Sequence, residues 1–236
     1  MRTSNLVIAL ACMASATAVQ AGIVIKSSGP SAGQFSVGME IDDNAVVELD
    51  EGDILTVVTA RGTRVLRGPG PKRISSNAAS RRSTFAVFTR QRSALATKGG
   101  LVRSASGGIV ANPSLWNVDV TQGGTQCVAS TEFLTAWRPE VTREEAYILG
   151  IAGSDFHVHV TFEEKYGESM VPGGAMPLID GRTYTVSAPD GSPAQTFKLA
   201  VLEDVPEDMP GMASALLAKG CERQLGLLAE KVMVED

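Results

Sequence analysis

Apolar residues in this chain come in short bursts separated by Gly, Pro, Asp and Asn, and over most of its length their spacing is that of strands. Residues 22–26 open the pattern, and a Gly/Pro/Ser stretch over 27–33 interrupts it. Residues 45–49 follow a turn at Asp42, Asp43 and Asn44. Residues 54–59, rich in β-branched side chains, follow a second polar turn at 50–53. Residues 63–66 form a further strand, and Gly68-Pro69-Gly70-Pro71 reads as the turn that ends the run. This spacing predicts a small antiparallel sheet or barrel over 22–74. A unit of about 50 residues buries little surface alone, so it is expected to lean on the rest of the chain.

The strand pattern fades over 75–111, where Ser, Ala, Arg and Gly dominate. This stretch reads as a basic linker with a helix over 81–96, for which Phe85, Val87, Phe88 and Leu95 supply apolar contacts. Strand spacing returns from Asn112, with segments at 115–120, 127–130, 134–137, 146–151, 156–162, 183–187 and 196–202. The Ala152-Gly153-Ser154-Asp155 turn makes a hairpin of the fourth and fifth of these. There Phe156, Val158, Val160 and Phe162 alternate with His157, His159 and Thr161, so one face is core and the other polar. The tail switches to helical spacing: Asp208 caps it and Pro210 lies in the first turn. Ala213, Leu216, Leu217, Cys221, Gln224, Leu225 and Leu228 share a face, and Gly220 divides the helix. The expected fold class is mainly β: a small N-terminal antiparallel β domain over 22–74, then a β-sandwich-like domain with a C-terminal helix over 112–236.

The first residues have a different layout. Arg2 gives a basic start, residues 6–18 an apolar run, and Val19-Gln20-Ala21 a small-residue cleavage site. That is the form of a secretory signal peptide over 1–21, cut near Ala21. A lipoprotein signal at Cys12 is the rival, but in Ala9-Leu10-Ala11-Cys12 the leucine lies one place too close to the cysteine. No later apolar run is long enough to span a bilayer, so a soluble periplasmic protein is expected. Loss of Cys12 leaves Cys127 and Cys221, an even pair in an oxidising compartment. They are read as a disulfide stapling the terminal helix to the sandwich, against the alternative of two free buried thiols.

Charge sharpens the picture. The chain carries a net −5, yet residues 61–110 hold eleven Lys and Arg and no acid. Both flanks are acidic. In an exported protein such a stretch suits anionic lipid head groups, envelope polysaccharide phosphates or an acidic partner protein. Arg81, Arg82, Arg90 and Arg92 are the candidate contacts. The alternative is a solvated linker that balances its acidic neighbours. Few aromatics interleave with the charges, which disfavours nucleic acid. His157 and His159 share a strand face and suggest a metal pair completed by Asp155, Glu163 or Glu164, weighed against two polar residues on a solvated face. No G-x-S-x-G or S-x-x-K motif occurs, and Gly68-Pro69-Gly70-Pro71-Lys72 lacks both Walker spacing and backbone donors. The expectation is a non-enzymatic binding protein without a cofactor; the alternative is a metal-dependent or hydrolytic enzyme using His157 and His159.

Two regions carry a family likeness. The first runs over residues 24–31, Val37-Gly38, residues 49–55 and Gly62-Thr63-Arg64-Val65-Leu66-Arg67-Gly68-Pro69-Gly70. The second holds Trp116, Cys127, Leu134, Trp137-Arg138-Pro139, Gly181-Arg182-Thr183-Tyr184 and Gly220-Cys221 before Gln224-Leu225. Together they resemble exported alphaproteobacterial proteins of unknown function whose N-terminal domain is loosely similar to the FecR periplasmic domain. The resemblance implies a Gram-negative envelope location, a signalling or assembly role, and a protein partner such as a membrane-bound sensor. It carries over no catalytic residue. FecR proteins proper are anti-sigma regulators with a membrane span, a feature this chain does not share.

Overall fold

In a computed structural model, which describes residues 21–90 and 108–234, the N-terminal strands bury side chains on both faces. β1 (Ala21–Ser28), β2 (Glu40–Asp42), β4 (Ile54–Thr59) and β5 (Gly62–Arg67) form a four-stranded antiparallel sheet in the order β2-β1-β4-β5. β3 (Val46–Leu49) pairs with β6 (Gly70–Arg73) in a separate ribbon. Val24, Leu55, Val57 and Leu66 face Val47, Leu49 and Ile74 in a core between the two sheets. Ile23 and Val58 point the other way, into a second core. That double burial explains why residues 54–59 are nearly continuous in apolar and β-branched character.

The second core is mostly helical. α1 (Arg82–Phe88), α2 (Met209–Ala218) and α3 (Glu222–Lys231) contribute Phe85, Phe88, Met212, Leu216, Leu225 and Leu228. It also takes Cys127, Ala200 and Leu202 from the C-terminal unit. The helices are therefore a layer shared by both β units. Asp208 caps α2, its Oδ1 accepting from Gly211 N–H at 2.8 Å. Gly220, at φ +73°, ends α2: Gly220 N–H bonds Leu217 O and Cys221 N–H bonds Leu216 O, the Schellman pattern. Cys221 then opens α3.

The C-terminal unit is a mixed sandwich. β8 (Gly124–Val128), β10 (Glu145–Ile151), β11 (His157–Phe162), β13 (Thr183–Ser187) and β14 (Gln195–Val201) make a five-stranded sheet in the order β11-β10-β13-β14-β8. β7 (Val118–Asp119), β9 (Phe133–Trp137) and β12 (Glu168–Pro172) make a three-stranded one in the order β12-β9-β7. Leu134, Ala136 and Val171 of the small sheet meet Leu149, Phe162, Tyr184, Phe197 and Leu199 of the large one. The chain is mainly β, as its spacing predicts. Cys127 and Cys221 are bonded, with Cα atoms 5.9 Å apart. Among the described residues no helix is long and apolar enough to cross a membrane. Residues 1–20 of the expected leader, Cys12 among them, and Arg92 lie outside the described residues, and Ala21 opens β1.

Three local expectations change. The helix expected over 81–96 ends at Phe88 because its last carbonyls find other donors. Leu115 N–H bonds Phe88 O at 3.0 Å, Trp116 Nε1–H bonds Thr89 O at 2.6 Å, and the Thr89 hydroxyl bonds Phe85 O. The turn expected over Gly68–Pro71 is confined to Gly68-Pro69, and Gly70 and Pro71 open strand β6, since Pro71 falls where its missing N–H would point away from β3. Phe156 precedes its strand at the hairpin tip and is exposed.

Gln224 is the polar member of the apolar helix face, and it completes the open edge of β8. Its Oε1 accepts from Cys127 N–H at 2.6 Å, and its Nε2 donates to Cys127 O at 2.7 Å and Leu115 O at 2.6 Å. A side-chain amide here does what a neighbouring strand would do. Gln224→Leu leaves one buried N–H and two carbonyls without partners. We expect a loss of at least about 2 kcal/mol, read from urea denaturation, since one buried unsatisfied group costs about 1–3 kcal/mol. A loss under about 0.5 kcal/mol, the scale of an ordinary surface change, would show that water replaces the amide.

Candidate anion-binding surface

The cations of residues 61–90 are carried mainly by three elements. β5 carries Arg64 and Arg67, β6 carries Lys72 and Arg73, and α1 begins beside Arg81 and Arg82. Arg64 is only 8 % exposed and acts as a brace. Its Nη1 donates to the carbonyls of Arg73, Ile74 and Ser75, the last two at 3.1 and 2.9 Å. This holds the end of β6 against β5 although the two strands share no ladder. The hairpin end is fixed by Asp53, which accepts from Ser31 N–H and Asp50 N–H at 2.9 and 2.6 Å. Burial disfavours the Asp53 carboxylate, but bonds from Ser31 N–H, the Ser31 hydroxyl and Asp50 N–H outweigh it and hold its pKa below the ordinary value. A Cβ on Gly68 would stand 1.8 Å from Asp50 O, so only glycine fits this turn.

Between β5 and β6 lies a groove of about 600 Å³ lined by Val65, Arg67, Pro71, Lys72, Arg73 and Asn77, among others, with no acid in its wall. Among the described residues Arg67, Lys72 and Arg73 have no ion-pair partner. Arg67 and Arg73 are exposed and Lys72 is half-buried. Asp43, whose carbonyl accepts from Ser75 N–H, turns its carboxyl inward. Burial raises the Asp43 pKa, the Ala60 N–H lowers it, Asp42 raises it and Arg61 lowers it; the net effect is upward. Asp43 is not among the residues that line the groove.

The expected contacts fare unevenly. Arg81 is a clamp: its Nε donates to Met233 O at 2.9 Å and its N–H to Arg61 O at 2.8 Å. Arg82 stands on the rim of a second cleft of about 800 Å³ between α1 and the 205–210 segment, floored by Phe85, Ala86 and Met209, with Glu207 and Asp208 opposite. Arg90 is exposed past the end of α1 and lines neither cleft. Arg67, Lys72 and Arg73 were not singled out in the sequence. The signal was present: two strands meeting at Gly68-Pro69 put the end of one beside the start of the next.

His157 and His159 lie on the exposed edge strand β11, their ring centroids 5.7 Å apart. His157 Nδ1 is 2.9 Å from Asp155 O, where its N–H donates. Among the described residues no group of three or more His, Cys, Asp or Glu is arranged to hold a metal ion. No family model matches the chain, and neither a curated protein nor a solved structure matches it.

Proposed function

We propose that this chain is an exported, non-enzymatic binding or accessory protein of the Gram-negative periplasm. Its partner is anionic: an acidic protein, such as the exposed part of a membrane-bound sensor, or an acidic envelope polymer. The observation that carries this reading is the segregation of charge. Within an acid-free run of eleven cations, Arg67, Lys72 and Arg73 line one groove and Arg82 stands on the rim of another cleft. Cations that served only to balance their own neighbours would be expected to pair with the acidic flanks. The leader-like N-terminus and the closed Cys127–Cys221 bridge support an oxidising compartment, and the FecR-like resemblance supports a signalling or assembly role.

The test is retention of the mature protein by phosphatidylglycerol vesicles and by immobilised polyglutamate. At low salt one of these is expected to retain it, with release as the Debye length falls to about 3 Å near 1 M salt. Neutralising Arg81, Arg82, Arg90 and Arg92, or Arg67, Lys72 and Arg73, is expected to weaken retention at least about tenfold, at about 1 kcal/mol per cation near an anionic surface. Retention that both sets of changes leave untouched overturns the proposal.

A further inference from the structure

The basic groove contains an open strand edge. β5 pairs with β4 through Gly62↔Thr59, Arg64↔Val57 and Leu66↔Leu55, alternating with Thr63↔Val58, Val65↔Thr56 and Arg67↔Ile54. Thr63 shows which set faces outward: its N–H bonds Val232 O at 2.8 Å, and its carbonyl accepts from Val234 N–H at 2.9 Å. Strand alternation then turns the N–H and C=O of Val65 and Arg67 away from β4 as well. The C-terminal segment covers Thr63 and, among the described residues, no hydrogen bond is made on that side of Val65 or Arg67.

The opposite wall is closed to pairing. Pro71 has no N–H, and the outward carbonyl of Arg73 already accepts from Arg64. One wall thus offers backbone donors and acceptors, while Arg67, Lys72 and Arg73 offer unpaired positive charge. A flat anionic surface uses the charge but not the strand edge. An extended acidic peptide uses both.

We propose that the groove is a docking site for an extended acidic segment of a partner protein. It adds as a strand to β5 at Val65 and Arg67 and places carboxylates against Arg67, Lys72 and Arg73. This rests on the anionic-partner reading above and deepens it. Main-chain bonds supply the pairing and the cations select acidic side chains, as in other strand-addition sites.

The experiment uses the mature protein and a fluorescent peptide of alternating Glu and Val. Its controls are the alternating Lys and Val peptide, the acidic peptide N-methylated at every second residue, and inorganic polyphosphate. The acidic peptide is expected to raise the anisotropy and to slow amide exchange selectively at Val65 and Arg67. Affinity is expected to fall at least about tenfold on N-methylation, on combined R67E/K72E/R73E substitution and with the basic peptide, since like-charge juxtaposition and lost pairing each cost that much. Val65→Pro, which removes an outward donor and leaves the β4 ladder intact, is expected to do the same. Should that variant unfold, the N-methylated peptide decides the point on unaltered protein. If that peptide binds as well as its parent, or polyphosphate binds while Val65 and Arg67 gain no protection, strand addition is wrong and the groove is a general polyanion site. If neither peptide nor polyphosphate binds at low salt, this inference falls together with the anionic-partner reading.

Discussion

Arg138→Ala is expected to lower stability by about 3–5 kcal/mol, the usual cost of removing one partner from a buried ion pair. Arg138 is 1 % exposed, the largest side chain so deeply buried among the described residues. Its Nη1 donates to Glu145 Oε2 at 2.6 Å, its Nη2 to the carbonyls of Arg143 and Phe162, and its guanidinium lies 5.1 Å from the Phe162 ring centroid. It joins the end of β9 to both strands of the β10–β11 hairpin, and so ties the two sheets of the sandwich together. Without it, the Glu145 carboxylate keeps only Arg143, which is well exposed and shares its charge with water. The double variant Arg138→Met/Glu145→Leu removes both charges and keeps most of the volume. It is expected to be more stable than Arg138→Ala, because the larger part of the penalty is the Glu145 carboxylate left largely buried with only an exposed partner. Urea denaturation of the three proteins measures this. A double variant no better than the single one would show that packing on Phe162, rather than charge, holds the corner.

That corner also marks how far the sequence could be read. Trp137-Arg138-Pro139 is visible as the end of a strand, but nothing in its spacing distinguishes a buried arginine from a solvated one. Residue type predicts exposure for arginine, and only a carboxylate eight places from Trp137, brought round by a turn, reverses it. The mainly β character, the Asp208 cap and the break at Gly220 were legible because each has a local cause: a period, a side-chain oxygen and a positive φ. β12 and β6 were missed for a different reason. Their partners, β9 and β3, are distant in sequence, and the Gly, Pro and Lys of β6 and the Glu and Pro that bound β12 argue against strands. The helices were legible as an amphipathic face, but its double use was not. A burial stripe states that something covers it, not that Ile23 and Val58 of the first unit cover one side while Cys127 and Ala200 of the second cover another. The groove follows the same logic. Its cations were counted in the sequence, while the edge that gives them a specific use exists only once β5 is paired on one side.

Opening the Cys127–Cys221 bridge is expected to cost about 4–5 kcal/mol by the chain-entropy relation for a sequence separation of 94. For a domain stable by about 5–15 kcal/mol that is about a quarter or more of the total. The structural consequence is specific. Cys127 sits on β8, whose open edge is held by Gln224, and Cys221 is the residue from which α3 starts. The bridge and the Gln224 amide thus pin the same strand to the same helix three residues apart. Cys127→Ala/Cys221→Ala removes the covalent link and leaves the amide contacts in place, so the folded state survives and the unfolded chain gains freedom. We expect the transition in urea to move to lower concentration and to steepen, because the unlinked unfolded chain exposes more surface, with a Tm about 8–20 °C lower at about 2–4 °C per kcal/mol. Adding Gln224→Leu then removes the second pin, and the combined loss is expected to exceed the sum of the two single losses, because either pin alone still holds β8 to α3. A bridge-free protein within about 1 kcal/mol of the oxidised one would mean that the unfolded chain is already compact around this contact. In that case the bridge confers little stability, and the Gln224 amide and the apolar packing around it hold β8 to α3.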